Sequence, residues 1–132
     1  MLGEQLGETR GKRTLRRVLS SEPLQVEVSF EDSGQMLGID VTGFGTYSSE
    51  VRADRTLYGE GEGAYITASG EALTWKGSGL GMFTEAGGVS YRGILYYRTA
   101  SQKLARLNTA CGVFEYDVDP QGGTHVKVWE WK

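Results

Sequence analysis

The pattern of apolar and polar positions predicts β-strands along most of the chain. From residue 24 the two classes alternate, and one face holds Leu24, Val26, Val28 and Phe30. Because successive side chains of a strand point to opposite sides, this period of two predicts a half-buried strand. A turn is expected at residues 32–34, where Gly34 can take a positive φ. A second strand follows over residues 37–51.

Further turn signals divide the rest of the chain. They lie at residues 53–55, 69–70, 87–88, 100–101 and 119–123. The segments between them, at about 56–67, 72–84, 89–99, 103–118 and 124–131, mostly exceed the usual strand length of roughly 5 or 6 residues. Long strands joined by tight turns favour a closed barrel over a sandwich of short strands. With residues 12–20 as the first strand, the chain is predicted to be all-β, a single closed antiparallel barrel of about eight long strands.

Two short stretches also have helical spacing. They are Leu15, Val18 and Leu19, and then Leu104, Leu107 and Cys111 behind a possible cap at Ser101. Both would make short helices, and we interpret both as strands. Residues 1–10 show little periodicity and are predicted to form a flexible N-terminal tail, which leaves residues 11–132 as the barrel domain.

Glycine is abundant and proline is scarce, with 20 glycines and 2 prolines. The glycines lie inside apolar and aromatic segments rather than in one polar tract, and glycine within a strand marks bends, bulges and close backbone approach. The start of the chain is acidic where a signal peptide is basic, and no apolar run approaches the roughly 20 residues that cross a bilayer. The single cysteine, Cys111, cannot form an internal disulfide. We therefore expect a cytoplasmic protein with no membrane partner.

A basic run, Lys12-Arg13-Thr14-Leu15-Arg16-Arg17, contrasts with the net charge of −3. One interpretation is a solvated face, or a charged strand edge that discourages strand addition. The other is a contact to nucleic acid or to an acidic partner. The run lacks the interleaved aromatic residues that stack on bases, so nucleic-acid binding is not expected.

Glycine alternates strictly with other residues over residues 59–63 and 77–81. Neither segment matches a dinucleotide fingerprint or a phosphate-binding loop. In a strand, the glycines of each segment share one face, which allows a ring or another backbone to pack closely; the alternative is space left for a ligand. The glycine face is the better inward candidate, so Glu60 and Glu62 are expected in solvent.

No residue pattern indicates catalysis or metal binding. His125, the only histidine, follows a turn and is expected near the rim of the barrel, without a nucleophile-elbow motif to accompany it. Cys111 is expected to be a small buried residue, and one histidine with one cysteine is too few ligands for zinc. No catalytic residue, metal or cofactor is predicted.

The aromatic residues alternate with glycine, as in a small barrel whose interior is filled by rings. The candidate lumen residues for ligand binding are Tyr65, Trp75, Phe83, Tyr91, Arg92, Tyr97, Phe114 and Tyr116. A tyrosine hydroxyl or Arg92 near the mouth could hold a polar end of the ligand. Apolar residues on the opposite faces, including Tyr58, Leu80 and Ile94, indicate an outer surface covered by a terminal segment or, as we prefer, by another copy. A homo-oligomer is therefore predicted.

Four segments carry a resemblance to small uncharacterised bacterial proteins. They are Val26-Glu27-Val28-Ser29-Phe30-Glu31, Gly59-Glu60-Gly61-Glu62-Gly63, Ser90-Tyr91-Arg92-Gly93-Ile94-Leu95-Tyr96-Tyr97 and Val128-Trp129-Glu130-Trp131. Those proteins are similar in pattern to the allene oxide cyclase-like barrels, whose fold the plant dirigent proteins share. The resemblance covers about residues 11–132. It implies an eight-stranded barrel with an apolar lumen, often assembled as dimers or trimers; no catalytic residue of those families matches a position here.

Two functions stay open from the sequence. The first is a binding protein, or a cofactor-free isomerase or cyclase, that holds a small apolar molecule in the lumen. The second is a ligand-free module that assembles or binds other proteins through its outer apolar face. A pocket of at least roughly 300 Å³ lined by the lumen rings would favour the first.

Overall fold

The computed structural model describes residues 2–132, which form one closed antiparallel barrel. The strands are β1 (Leu2–Ser21), β2 (Leu24–Met36), β3 (Ile39–Val51), β4 (Thr56–Thr67), β5 (Ala72–Phe83), β6 (Val89–Thr99), β7 (Cys111–Val118) and β8 (Gly123–Trp131). Each strand pairs with its neighbours in sequence, and β8 returns to pair with β1. The predicted barrel of eight long strands is confirmed, and with it the strand assignment of Leu15, Val18 and Leu19.

The barrel has two ends, which differ in how they are closed. We call the end with the β1–β2, β3–β4, β5–β6 and β7–β8 turns the upper end, and the other the lower end. A 3₁₀ turn, Ala105–Thr109, lies between β6 and β7 at the lower end. Leu104 and Leu107 at this turn have 0% of their surface exposed and pack into the core with Leu6, Met36 and Leu73. Apolar side chains therefore seal the lower end.

The seam between β1 and β8 is incomplete at the upper end. Pairing of β1 with β8 ends at Lys12 opposite Gly123, followed by one hydrogen bond from the Arg13 N–H to the Gly122 carbonyl. Beyond that point, residues 14–21 pair with β2 alone. Residues 14–21 of β1 thus form a strand with one free edge, whereas β2 stays paired with β3 along this stretch.

The expected N-terminal tail is wrong for residues 2–10. These residues belong to β1 and pair with both β2 and β8. Leu6 and Thr9 are 1% and 2% exposed. The sequence periodicity is interrupted here by register shifts against β8 near Gln5, which hid the strand; Met1 lies outside the described residues.

The turn expected at residues 32–34 is also wrong, because these residues continue β2. The chain reverses instead at Leu37 and Gly38, both with positive φ, in a two-residue hairpin loop. Gly34 serves close strand approach: a Cβ there would lie 2.1 Å from the Glu8 carbonyl oxygen. The N–H of Leu37 donates to the Leu6 carbonyl, which ties the turn to β1.

The strand expected over residues 103–118 begins only at Cys111. Its first part is the 3₁₀ turn, whose two buried leucines have the helical spacing seen in the sequence. Over residues 2–132, no helix is long and apolar enough to cross a membrane.

Candidate ligand site in the barrel lumen

The lumen holds a small, partly open cavity of about 70 Å³. Its walls are almost entirely apolar and include seven aromatic residues, Phe30, Tyr47, Tyr65, Trp75, Tyr91, Phe114 and Tyr116. Five of these rings, those of Phe30, Tyr47, Trp75, Tyr91 and Tyr116, form one cluster with centroid separations of 5.6–6.2 Å. The aromatic side chains therefore fill most of the interior and leave a limited space between them.

The alternating glycines allow these rings to lie against the barrel wall. A Cβ on Gly63 would lie 2.6 Å from the Trp75 ring, and one on Gly81 would lie 2.7 Å from the Tyr91 ring. On the wall itself, Gly59 pairs with Gly79, and two residues further on the same face Gly61 pairs with Gly77. The glycine face points inward, as expected, and it serves tight ring packing.

Tyrosine hydroxyls form two hydrogen-bonded pairs beside the cavity. The Tyr47 and Tyr116 hydroxyl oxygens are 3.1 Å apart, and those of Tyr91 and Ser49 are 2.6 Å apart. Burial raises the pKa of Tyr47 to about 12, and burial also raises the pKa values of Tyr91 and Tyr116. All three tyrosines are therefore neutral at pH 7, and they can position a polar group or donate a hydrogen bond to it.

A buried carboxyl group lies further down the lumen. Asp32 is 7% exposed, and its Oδ2 accepts a hydrogen bond of 2.9 Å from the Thr9 hydroxyl. Its Oδ1 and the hydroxyl of Tyr97 have no hydrogen-bond partner among the described residues. Burial raises the pKa of Asp32, against the smaller effect of the Thr9 hydrogen bond, and the nearby Asp32 adds to the rise that burial causes in the pKa of Tyr65. Asp32 therefore couples electrostatically to a ring that borders the cavity.

Six of the eight candidate lumen residues point into the barrel. Tyr65, Trp75, Tyr91, Phe114 and Tyr116 border the cavity, whereas Tyr97 is 3% exposed and packs with the residues that seal the lower end. The other two, Phe83 and Arg92, were wrongly predicted to lie in the lumen. Phe83 is at the end of β5 and is 48% exposed, because the strand ends before its ring can enter the lumen.

Arg92 lies on the outer surface and cannot anchor a ligand in the lumen. It alternates with the inward residues Tyr91 and Gly93, and its guanidinium group is 3.5 Å from Asp117 and 3.8 Å from Glu115 on the neighbouring strand. Adjacent side chains of a strand point to opposite sides, so an inward Tyr91 already implies an outward Arg92. The same alternation applied to β2 and β3 could have added Phe30 and Tyr47, which border the cavity and were missed.

The remaining candidates for chemistry lie on the outer surface. His125 hydrogen-bonds Glu8 across the β1–β8 seam at 2.5 Å, and this bond is the main cause of the lowered pKa of Glu8. Glu60 and Glu62 are exposed, as predicted, and Cys111 is half-buried rather than buried. Among residues 2–132, no group of three metal-ligating side chains converges.

The outer surface of β5–β8 carries an apolar area. Leu80, Ile94 and Tyr96 are 58%, 37% and 60% exposed. Ile94 is in register with Val113 on β7, which is in register with Trp129 on β8, so these side chains form a row across the sheet. We call these five residues, Leu80, Ile94, Tyr96, Val113 and Trp129, the outer apolar face.

Comparison with known proteins places the fold but assigns no activity. No protein-family model matches the chain, and no curated protein is similar to it. Among solved structures, it is similar to a conserved protein of unknown function from Rhodopseudomonas palustris, with a TM-score of 0.83, 11% identity and coverage of 98% of this chain and 97% of that chain. It is also similar to a β-barrel-like protein from Acinetobacter baumannii, with a TM-score of 0.82, 11% identity and coverage of 100% and 96%.

A third similar structure is an enzyme from Penicillium herquei, with a TM-score of 0.68, 15% identity and coverage of 96% of this chain and 92% of that chain. At these identities the similarity shows a shared fold alone. The chain has the barrel fold of small bacterial proteins of unknown function.

Proposed function

We propose that this barrel binds the apolar end of a small molecule in its lumen, as a binding protein or as a cofactor-free isomerase or cyclase. The observation that carries the proposal is the partly open apolar cavity bordered by seven aromatic residues. Hydroxyl groups stand beside an otherwise apolar wall, which is the usual composition of a small-molecule site. The similarity in pattern to the allene oxide cyclase-like barrels supports the same proposal, as does the similar fold of an enzyme from Penicillium herquei.

The size of the cavity limits what can enter. Its volume of about 70 Å³ is well below the roughly 300 Å³ of common ligand sites. A complete ligand of ordinary size therefore does not fit, and we propose that a short chain or a branched alkyl end enters while the remainder stays outside.

Catalysis in such a site would use shape and hydroxyl groups. The rings exclude water and fix the conformation of the bound end. Tyr47, Tyr91 and Tyr116 border the cavity and carry hydroxyl groups, and the carboxyl of Asp32 interacts electrostatically with Tyr65, which also borders it. These groups could donate hydrogen bonds to a carbonyl or epoxide oxygen, and they are the residues to mutate if an activity is found.

The test is an NMR titration with hexan-1-ol, which has a thin apolar end and no charge. The signal of the Trp75 indole N–H, in the cavity wall, is expected to shift and saturate. The signals of Trp129 and Trp131, on the outside of β8, are expected to stay constant and serve as internal controls. Native mass spectrometry of protein purified from its source would then identify a co-purifying molecule.

Two leucine-to-phenylalanine variants separate the lumen from the surface. Leu95 borders the cavity and Leu80 points outward from the neighbouring strand. Leu95→Phe should fill the cavity and abolish the Trp75 shift, whereas Leu80→Phe, which adds the same volume outside, should preserve it. Val126→Ile narrows the same cavity more gently in case the larger ring disturbs folding. If the chemical shift of the Trp75 indole N–H in the parent protein does not change with added hexan-1-ol, the proposal is refuted.

The outer apolar face supports a second candidate function, assembly of copies of this chain. Three of its five side chains are more than a third exposed in the single chain, and an exposed apolar area of this kind marks an interaction surface in soluble proteins. A homo-oligomer is compatible with ligand binding in each lumen.

The cytoplasmic location expected from the sequence stays a prediction.

A further inference from the structure

Part of the basic run at residues 12–17 lies on the inner side of the barrel wall. Arg13 is directly opposite Phe30 on β2, and Arg16 is opposite Val28. Phe30 and Val28 are 6% and 4% exposed, and Phe30 borders the cavity. Because side chains directly opposite each other on paired strands share a face, Arg13 and Arg16 leave β1 on the lumen side.

A bulge makes this arrangement possible. Residues three apart in a regular strand point to opposite sides of the sheet. The register of β1 against β2 shifts between Arg13 and Leu15, and a bulge of this kind redirects the side chains that follow it. The bulge therefore puts both guanidinium groups on the inner face at the upper end, where the β1–β8 seam is incomplete.

The two inward arginines lack the carboxylate partners that other arginines of this strand have. Arg17, on the outer side, is 3.2 Å from Glu27, and Arg10 is 3.6 Å from Glu8. Arg13 is half-buried beside Gly122 of the β7–β8 turn. Within residues 2–132, neither Arg13 nor Arg16 has an acidic side chain within ion-pair distance. Two positive charges at the opening are thus left unneutralised.

The same charges act on the tyrosines that border the cavity. Burial raises the pKa of Tyr47 to about 12, and the positive charges of Arg13 and Arg16 work against that rise. The charge of Arg13 also works against the larger rise at Tyr116. The positive charges of Arg13 and Arg16 therefore act on the Tyr47 hydroxyl, which borders the cavity.

We propose that the molecule bound in the lumen carries a carboxylate, which Arg13 and Arg16 hold at the opening between β1 and β8 while its apolar end occupies the cavity. A guanidinium group presents paired N–H donors that match a carboxylate. Two inward arginines suit one such group, whereas a nucleic acid would need a row of cations along its backbone. This inference rests on the proposed function and specifies the class of ligand.

The test compares hexanoate with hexan-1-ol, two ligands with the same six-carbon skeleton and different charge. Each is titrated at pH 7 and followed at the Trp75 indole N–H. Hexanoate is expected to bind about tenfold to hundredfold more tightly, the range that a hydrogen bond to a charged group provides. Arg13→Gln and Arg16→Gln each should reduce that preference, and the double variant should bind the two ligands equally. Added salt should also reduce the preference.

Lys12→Gln is the matched control, because it removes one positive charge from the adjacent position on the outer side, where Lys12 is exposed opposite Glu31. Its preference for hexanoate should equal that of the parent protein. Arg16→Gln changes an exposed side chain and should leave folding intact. Equal affinity of the parent for the two ligands, or an equal loss in Lys12→Gln, would overturn this inference while leaving the proposed function in place. Binding of neither ligand would overturn both.

Discussion

Close packing of the rings in the lumen also buries polar groups of neighbouring residues. The glycines on the inner wall give space to rings, and the rings then bury polar groups that have few partners. Asp32 shows the cost, because one carboxylate oxygen is hydrogen-bonded by Thr9 and the other has no hydrogen-bond partner in the described chain. Burial of this kind disfavours the ionised form of a carboxyl group. The free energy of unfolding of the barrel should therefore depend on pH through Asp32.

Replacement of Asp32 with asparagine should alter the pH dependence of stability. Burial raises the pKa of Asp32 above the ordinary 3.8, so between 3.8 and the raised value the folded state binds more protons than the unfolded state. The contribution of Asp32 to stability is therefore fully present below pH 3.8 and is lost as pH rises through the raised pKa. Asp32→Asn has no ionisation to lose. The free energy of unfolding of the variant, relative to the parent, should increase from pH 3.8 upward.

Urea unfolding of both proteins at several pH values measures this difference. Effects of all other titrating groups cancel when the variant is compared with the parent at each pH. A difference in unfolding free energy that is the same at pH 4 and pH 7 would show that Asp32 ionises normally in the folded state.

Among the elements, the 3₁₀ turn Ala105–Thr109 closes the lower end of the barrel. It contributes few backbone hydrogen bonds, yet its apolar side chains complete the core. The β1–β2 hairpin acts at the other end, where its free edge leaves the wall open beside Arg13 and Arg16. The 3₁₀ turn thus closes the lower end of the lumen, and at the upper end the pairing of β1 with β8 stops beside the two arginines.

Leu107→Ala should destabilise the protein, because it removes part of the apolar packing that closes the lower end. Leu107 is fully buried, and truncation of a buried leucine costs about 2–5 kcal/mol because a cavity replaces the lost methyl groups. The matched change Leu80→Ala removes the same atoms from a side chain that is 58% exposed, and it should cost less than about 0.5 kcal/mol. Chemical denaturation monitored by circular dichroism measures both. Similar small losses in the two variants would mean that the 3₁₀ turn is not part of the core.

At the scale of the whole molecule, the two proposed functions use different apolar regions of the barrel. One is the lumen, which is almost filled, and the other is the outer apolar face, which a single chain leaves uncovered. The outer apolar face favours an assembly of identical copies, since an isologous interface uses one surface patch twice. Assembly would bury Tyr96 and Ile94 without closing the opening between β1 and β8.

Tyr96→Lys should convert such an assembly into single chains, because a buried unpaired ammonium group opposes association. Phe44→Lys is the control: Phe44 is 56% exposed on β3, away from the outer apolar face, and this change should leave the assembly intact. Sedimentation velocity at several concentrations distinguishes the two outcomes. A parent protein that stays a single chain at every concentration, or an equal effect of the two lysines, would exclude the outer apolar face as the interface.

The sequence was most informative where structure depends on neighbouring residues alone. Alternation with a period of two predicted strands that the structure places within a few residues, such as β4 at Thr56–Thr67 and β6 at Val89–Thr99. The alternation also placed Trp75, Tyr91 and Tyr116 on the lumen side. It failed at residues 103–110, because a short 3₁₀ turn and a strand can present apolar residues with overlapping spacing.

Distant contacts decided the remainder. The strand over residues 2–10 exists because β8 returns to pair with it, and the size of the cavity depends on how rings from six strands pack together. The inward direction of Arg16 depends on a one-residue bulge that leaves no mark in the charge pattern. The amino-acid sequence by itself determined most of the strands, the glycine-lined wall and the closed barrel, because each follows from local alternation and turns. Only the tertiary structure decided where the β1–β8 pairing ends, which charges face the lumen and how much space the rings leave. These features depend on register and packing between strands that are far apart in the chain.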